Sequence, residues 1–168
     1  LRELDARRPG RVTLVQMDGF HLDNAVLEPA GLLPRKGAPS TFDSAGLAEC
    51  LARIRAGVED VAVPIFDRKA DLARAGAAIV RRNCEIVVVE GNYLLLAEPN
   101  WTDARGCLDL TVFIDVPRHV LRERLIRRWL DHGMDQPAAV ARAESNDLVN
   151  AALVVTRSHP ADLVLARS

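Results

Sequence analysis

The chain has 168 residues, 49% of them apolar, a net charge of -1 and a pI near 6.5. That length suits one domain with a substantial core, since single cores commonly run to about 100–200 residues, and the charge gives no electrostatic basis for a nucleic-acid or anionic-membrane partner. No apolar run approaches the roughly 18 residues of a membrane span and no secretory signal is visible; Cys50, Cys84 and Cys107, never at Cys-x-x-Cys spacing, read as reduced thiols of a cytoplasmic protein.

Residues 1–8 read as the second half of a helix, with Leu1 and Leu4 at helical spacing and Pro9-Gly10 as a stop. The chain opens on leucine, and its beginning is expected to be missing. Residues 11–17 form a strand that runs into Asp18, Gly19 and Phe20. The same arrangement recurs at residues 86–92: four β-branched residues, Ile86 to Val89, end in Glu90, Gly91 and Asn92. An unbroken β-branched run predicts a parallel strand buried on both faces. Acids at the carboxyl ends of such strands lie where open α/β sheets bind ligands, and glycine after each leaves room there. Two strand-end acids at one rim suit a site that needs a metal and a base, with Glu90 facing a magnesium-bound phosphate. Asp18 alone is also compatible with a helix cap or turn. His21 reads as a packing histidine, because no second histidine stands at ligand spacing.

Residues 22–41 carry five prolines and glycines, which argues against one long element. Loops of that length in compact domains tend to be functional. Its Arg35 and Lys36 could close over an anionic substrate, or the loop is simply a solvated surface. Asp43 or Ser44 then caps a helix through Ala56, ended by Gly57. Residues 61–66 contain Pro64 and predict an edge strand, followed by Asp67, Arg68 and Lys69, either substrate contacts or a charged turn. Residues 77–80 predict a short hairpin partner. Beyond residues 93–96 a loop is expected through Gly106, then a buried strand over 108–116.

Pro117 suits the first position of a helix reaching His132, in which Arg124, Arg127 and Arg128 share one face. Three arginines on one face suit phosphate oxygens, or else form a solvated helix face. A further helix from Pro137 to about Val155 carries Asn146 and Asn150 one turn apart, placed either for a hydroxylated substrate or for interhelical contacts. A last strand covers 161–165. The alternation of strands and helices predicts an open, mostly parallel α/β sheet flanked by helices.

Met17 to Phe20, the GLLPRKG stretch at 31–37, PSTFD at 39–43, VPIFD at 63–67 and VVVEGNYLL at 87–95 resemble the P-loop kinases of the uridine kinase, phosphoribulokinase and bacterial pantothenate kinase group. The chain most resembles the bacterial branch labelled nucleoside/nucleotide kinase or fructose transport system kinase. The resemblance implies a P-loop NTPase-like fold with a small arginine-rich lid, ATP and magnesium as cofactors, and roles position by position. Asp18 matches the acid that accepts the substrate hydroxyl proton, and Glu90 the acid that helps hold magnesium, directly or through water. Arg124 and Arg128 match lid arginines that stabilise the transferring phosphoryl, with Arg127 and Arg157 beside the nucleotide. Phe20, Arg35, Lys36, Asp67, Arg68, Asn146 and Asn150 fall on the substrate side. Pantothenate kinases carry a histidine where this chain has Asp67 and Arg68, which argues against pantothenate.

The chain contains no G-x-x-x-x-G-K-[ST] motif, which cradles phosphates with backbone amides and a lysine. Residues 1–168 are therefore expected to be one kinase-like domain lacking its first strand and P-loop, a segment of roughly 20–30 residues given typical strand and motif lengths. The expected function is an ATP-dependent kinase acting on a hydroxyl of a small metabolite, such as a sugar or nucleoside. The alternatives are a nucleotide-binding regulator of sugar uptake without phosphotransfer, and a plain NTPase. A small molecule is the expected partner, with no nucleic acid and no membrane insertion; oligomeric state stays open, a homodimer included.

Overall fold

The structure is a computed structural model that describes residues 1–167. They form two compact units, residues 1–94 with 98–107 and residues 95–97 with 108 onward.

In the first unit, the exposed helix α1 (Arg2–Arg7) leads through Gly10, at φ +67°, into strand β1 (Val12–Gln16). β1 pairs in parallel with β4 (Ile86–Glu90), in register from Val12 opposite Ile86 to Gln16 opposite Glu90. Parallel pairing puts both strand ends, and the acids beyond them, at one rim. The expectation that residues 86–89 are buried on both faces is corrected: β4 is half-buried, because among the described residues β1 is its only partner strand. A 3-10 turn (Met17–Phe20) follows β1, with Met17 fully buried.

Residues 22–41 are irregular, as their prolines and glycines predict, but they are not slack. A short helix α2 (Asn24–Leu27) is capped by Asp23, whose carboxylate accepts from the Ala25 amide at 2.9 Å. Two further 3-10 turns follow, Leu33–Arg35 and Pro39–Thr41. The buried Thr41 hydroxyl accepts from the Gly37 amide at 2.9 Å and donates to the Ala38 carbonyl at 2.8 Å. Tyr93 donates to the Gly37 carbonyl at 2.5 Å. Helix α3 (Ser44–Ala56) has the predicted ends: Asp43 accepts from the Gly46 amide at 2.8 Å, and Gly57 takes the left-handed conformation at φ +63°.

α3 packs on a helix where a loop was expected, α4 (Pro99–Gly106). Its polar composition and terminal glycine hide the helical period, yet Pro99 stands in the first turn, where its missing N–H has no helical partner to lose. α4 buries Trp101 and Ala104. Strand β2 (Val61–Asp67) pairs antiparallel with β3 (Leu72–Val80), the register shifting between Val63 and Ile65, around Pro64. The expected partner strand at 77–80 in fact begins at Leu72; Ala73, Ala75 and Gly76 carry weak strand preference and gave its first half no signal.

In the second unit, β5 (Val112–Asp115) pairs in parallel with β6 (Leu163–Ala166). Asp162 fixes the start of the pair by accepting from both the Thr111 amide (2.8 Å) and the Thr111 hydroxyl (2.6 Å). The buried strand expected at 108–116 is shorter and exposed: Val112, Ile114, Leu163 and Leu165 are each about half accessible, since a two-stranded sheet has no interior strand. Helix α5 (Arg118–Asp131) starts one residue later than expected: Pro117 is its N-cap residue and not its first helical position, with its carbonyl accepting from the Leu121 amide at 3.0 Å. The single helix expected from 137 to 155 is three segments: α6 (Gln136–Arg142), a π-helical turn (Ala143–Asp147) and α7 (Leu148–Arg157). α5 and α6 meet around Ile126, Ala139 and Ala143, flanked by Leu125, Trp129 and Val140. The fold class is α/β, with parallel strands flanked by helices. Among the described residues no helix is long and apolar enough to cross a membrane.

Candidate functional site

The rim of β1 and β4 carries the two sequence-predicted acids. Glu90 ends β4, exposed, and accepts from the Gln16 side-chain amide across the strand pair at 3.0 Å. Asp18 lies two residues beyond Gln16 in the 3-10 turn. The Arg68 guanidinium donates to its Oδ2 at 2.9 Å; the Asp18 side chain is 29% exposed and that of Arg68 67%. This turn is held where it is by a close approach. A Cβ on Gly19 would run into the Pro64 carbonyl of β2, so only glycine lets the turn and the hairpin strand meet. Gly91 works the same way against Met17: the room it leaves is filled by the methionine side chain, not kept for a ligand as expected.

His21 closes the turn. Its ring nitrogen Nδ1 is 2.8 Å from the Asp18 carbonyl, and the ring packs 4.0 Å from Phe42 and 4.7 Å from Phe66. Burial pulls its pKa below the ordinary 6.5, outweighing the Asp18 carbonyl and carboxylate that pull it up. It is a packing histidine, as read from the sequence, and no cluster of three metal-ligating side chains occurs among the described residues. That does not exclude magnesium chemistry at Glu90, because magnesium is commonly held by one or two carboxylates plus substrate phosphates and water.

Several residues expected on the substrate side prove to be committed to the protein. Phe20 is buried in the core. Lys36, 11% exposed, puts its Nζ 2.7 Å from Asn24 Oδ1, 2.8 Å from the Asp71 carbonyl and 2.8 Å from the Asp71 carboxylate, and lies 5.3 Å from the Phe66 ring centre. It fastens loop 22–41 to the tip of the β2–β3 hairpin. Asp71 stands at φ +53°, a conformation aspartate tolerates better than most residues. Burial pushes its pKa up, but the bonds from Lys36 and Asn24 outweigh burial and hold the carboxyl below its usual range. Asp67 likewise serves the hairpin turn, accepting from the Lys69 and Ala70 amides at 3.1 and 3.2 Å. Arg35 is partly exposed in the 3-10 turn beside Lys36. Of the hairpin residues, Arg68 is the one that reaches a strand-end acid. The acid–arginine pairing was not legible in the sequence, where the two stand 50 residues apart.

The arginine set belongs to the second unit. Arg124, Arg127 and Arg128 lie exposed on α5. Arg128 donates to Asp147 Oδ2 at 3.3 Å and stacks over Trp129, its guanidinium carbon 4.8 Å from the ring centre. Arg122, absent from the predicted set, makes two bonds to Glu144 Oε1, at 3.0 and 2.6 Å. Both acids sit on the π-helical turn, and no sequence signal pointed to them. Asn146 and Asn150 are buried, Asn146 in that turn and Asn150 on α7. Their burial fits interhelical contact, the second of the two readings. Arg157 ends α7, exposed, with its carbonyl accepting from the Ala97 amide at 2.8 Å.

No family model matches the chain. Among relatives, the uncharacterised protein YggC of Escherichia coli (strain K12) is 37% identical over 165 residues, covering 98% of this chain and 68% of its own length. A Schizosaccharomyces pombe protein named "Putative uridine kinase C227.14" is 32% identical over 162 residues, 92% of this chain and 68% of that protein. Pantothenate kinases match over shorter stretches; that of Clavibacter sepedonicus is 32% identical over 136 residues, only 42% of its length. The crystal structure of a "putative fructose transport system kinase" from Silicibacter sp. TM1040 superposes with a TM-score of 0.85 at 47% identity, covering 95% of this chain and 77% of that one. Identity at this level over nearly the whole chain, together with parallel strands ending in acids at one rim, means that the chain belongs to the P-loop kinase family of these uridine kinase, pantothenate kinase and fructose transport system kinase relatives.

Proposed function

We propose that the protein is an ATP-dependent kinase that transfers the γ-phosphoryl group to a hydroxyl of a small metabolite. The observation that carries this reading is the Asp18 carboxylate, held at the end of β1 by Arg68 with one oxygen engaged at 2.9 Å. The reading gives the other oxygen the proton of an acceptor hydroxyl. A regulator that only bound nucleotide would need no such base. The Arg68 guanidinium orients the carboxylate, and a general base works only when it is held within reach of the proton it takes. Glu90, exposed at the neighbouring strand end, would hold magnesium through its carboxylate or a water. Magnesium, when bound, supplies charge neutralisation on the phosphates. Phosphoryl transfer needs positioned cations more than covalent help, and the α5 arginines Arg124 and Arg128 are assigned that part, with Arg127 and Arg157 beside the nucleotide.

The reading requires a phosphate cradle. Since the 168 residues contain no G-x-x-x-x-G-K-[ST] run, it assigns that cradle to residues outside them. An intact protein mass of 18.4 kDa would overturn that assignment. Three unpaired cysteines support a cytoplasmic setting. The acceptor class, sugar or nucleoside, follows the names of the relatives, and pantothenate is disfavoured by Asp67 and Arg68.

The test is ADP release by the full-length protein with magnesium and ATP across a panel of sugars, nucleosides and pantothenate, beside Asp18→Asn. Acceptor-dependent release that collapses in the variant is the expected result. Tight ATP binding without acceptor-dependent turnover would favour a regulatory protein, and release indifferent to acceptor a plain NTPase.

A further inference from the structure

The α5 arginines are gripped from behind. Asp147, 12% exposed, accepts with a single oxygen from the Trp129 indole N–H at 2.6 Å and from Arg128 at 3.3 Å. Trp129 in turn has two guanidinium groups near its ring, that of Arg128 at 4.8 Å and that of Arg142 at 5.4 Å from its centre. Nearly two turns nearer the start of α5, Glu144 takes Arg122. The two acids come from the π-helical turn between α6 and α7, which packs against α5. A π turn inserts one residue into a helix and rotates the side chains beyond it, and such turns are frequent at functional sites. Here it lets Ala143 and Asn146 stay buried while Glu144 and Asp147 reach α5.

We propose that Asp147 is a positioning residue for Arg128, acting through the Trp129 indole, and that the π turn exists to deliver it. This rests on the kinase reading, in which Arg128 contacts the transferring phosphoryl group. A guanidinium has five donors in a rigid fork; Asp147 engages one and the indole face supports the plane, so the remaining edge is aimed before any phosphate arrives. Orientation fixed in advance is what removes the cost of finding the geometry during the reaction. The Glu144–Arg122 pair, with side chains 51% and 43% exposed, is solvated and carries much less of this function.

The 168 residues hold two tryptophans, and the Trp129 indole N–H resonance in a proton–nitrogen NMR spectrum is assigned by its loss in Trp129→Phe. In the wild-type full-length protein the Trp129 resonance is expected to stand downfield, as befits a carboxylate-bound indole, and to move on addition of magnesium-ATP. Asp147→Asn is expected to shift it, to abolish its response to magnesium-ATP, and to lower kcat by roughly 10–100-fold, the scale of a misplaced catalytic group, with KM for the acceptor unchanged; Asp147→Glu should restore part of kcat. Glu144→Gln, the internal control, should stay within about twofold. If Asp147→Asn lowers only the melting temperature and leaves kcat and the resonance response intact, the residue is a mere staple and the proposal is overturned. If the wild-type resonance ignores magnesium-ATP while ADP release depends on acceptor, the positioning role fails and the kinase reading survives; if release never depends on acceptor, both fall.

Discussion

Two cations of the first unit grip aspartates at nearly the same distance, Lys36 to Asp71 at 2.8 Å and Arg68 to Asp18 at 2.9 Å, and they do different things. Lys36 is 11% exposed, touches three acceptor atoms and sits by an aromatic ring; Arg68 is 67% exposed and makes one bond. A charge held in that many places and shielded from water cannot leave without stranding its partners. A solvated pair can exchange its anion for another at a cost of under about 1 kcal/mol. Pair length therefore does not separate a bridge locked into the structure from one open to exchange; the surroundings do.

The largest effect that would sharpen this contrast is on the acid itself. Asp18→Asn should reduce acceptor-dependent ADP release by about 10²–10⁴-fold, the worth of a general base, while leaving the melting temperature near wild type; an equal loss of stability would make Asp18 a structural aspartate after all. Next comes Lys36→Met, expected to lower stability by about 2–3 kcal/mol, the scale of hydrogen bonds to a charged group, measured by denaturant unfolding. The same variant should lose an acid-sensitive increment. The Asp71 carboxyl is held below its usual 3.8, so its contribution is present above that pH and is lost as pH falls through the lowered value. Without Lys36 that loss should vanish.

Arg68→Ala should cost less than about 1 kcal/mol of stability while sharply reducing activity. Were it to destabilise more than Lys36→Met, the contrast would be broken. The smallest effect concerns His21, whose pKa is lowered mainly by burial. The unfolded chain binds its proton first, so stability should fall as the pH drops from 6.5 toward the lowered value. His21→Phe, which keeps a ring against Phe42 and Phe66, should flatten that part of the thermal-stability profile.

Much of this was readable from residues alone, and the failures share a cause. The ends of α3 were visible because Asp43 and Gly57 carry capping chemistry in their own side chains or lack of one. β1 and β4 were visible because β-branched runs have few other uses. α4 and most of β3 were hidden: alanine, glycine and proline leave no period to read, and tertiary contacts decided. The functional assignments split along the same line. The positions of Asp18 and Glu90 at the strand ends were legible because strand ends are local. The commitment of Lys36 to Asp71, 35 residues away, and of Arg128 to Asp147, 19 residues away, was not, because pairing partners are set by packing. A lysine in a Gly/Pro-rich loop looks available until the hairpin that engages Lys36 is in place.

The buried tyrosine that anchors Gly37 has an optical consequence. Tyr93 is the chain's only tyrosine and its ring centre lies 5.6 Å from that of Trp101, within the first unit, whereas Trp129 belongs to the second. Light absorbed by the phenol should be handed to the neighbouring indole, so tyrosine-sensitised emission reports the integrity of the first unit alone. Restored phenol emission during a denaturation, recorded beside the shift of the Trp129 signal, would show whether the acid rim and the arginine helix melt in one step or in two.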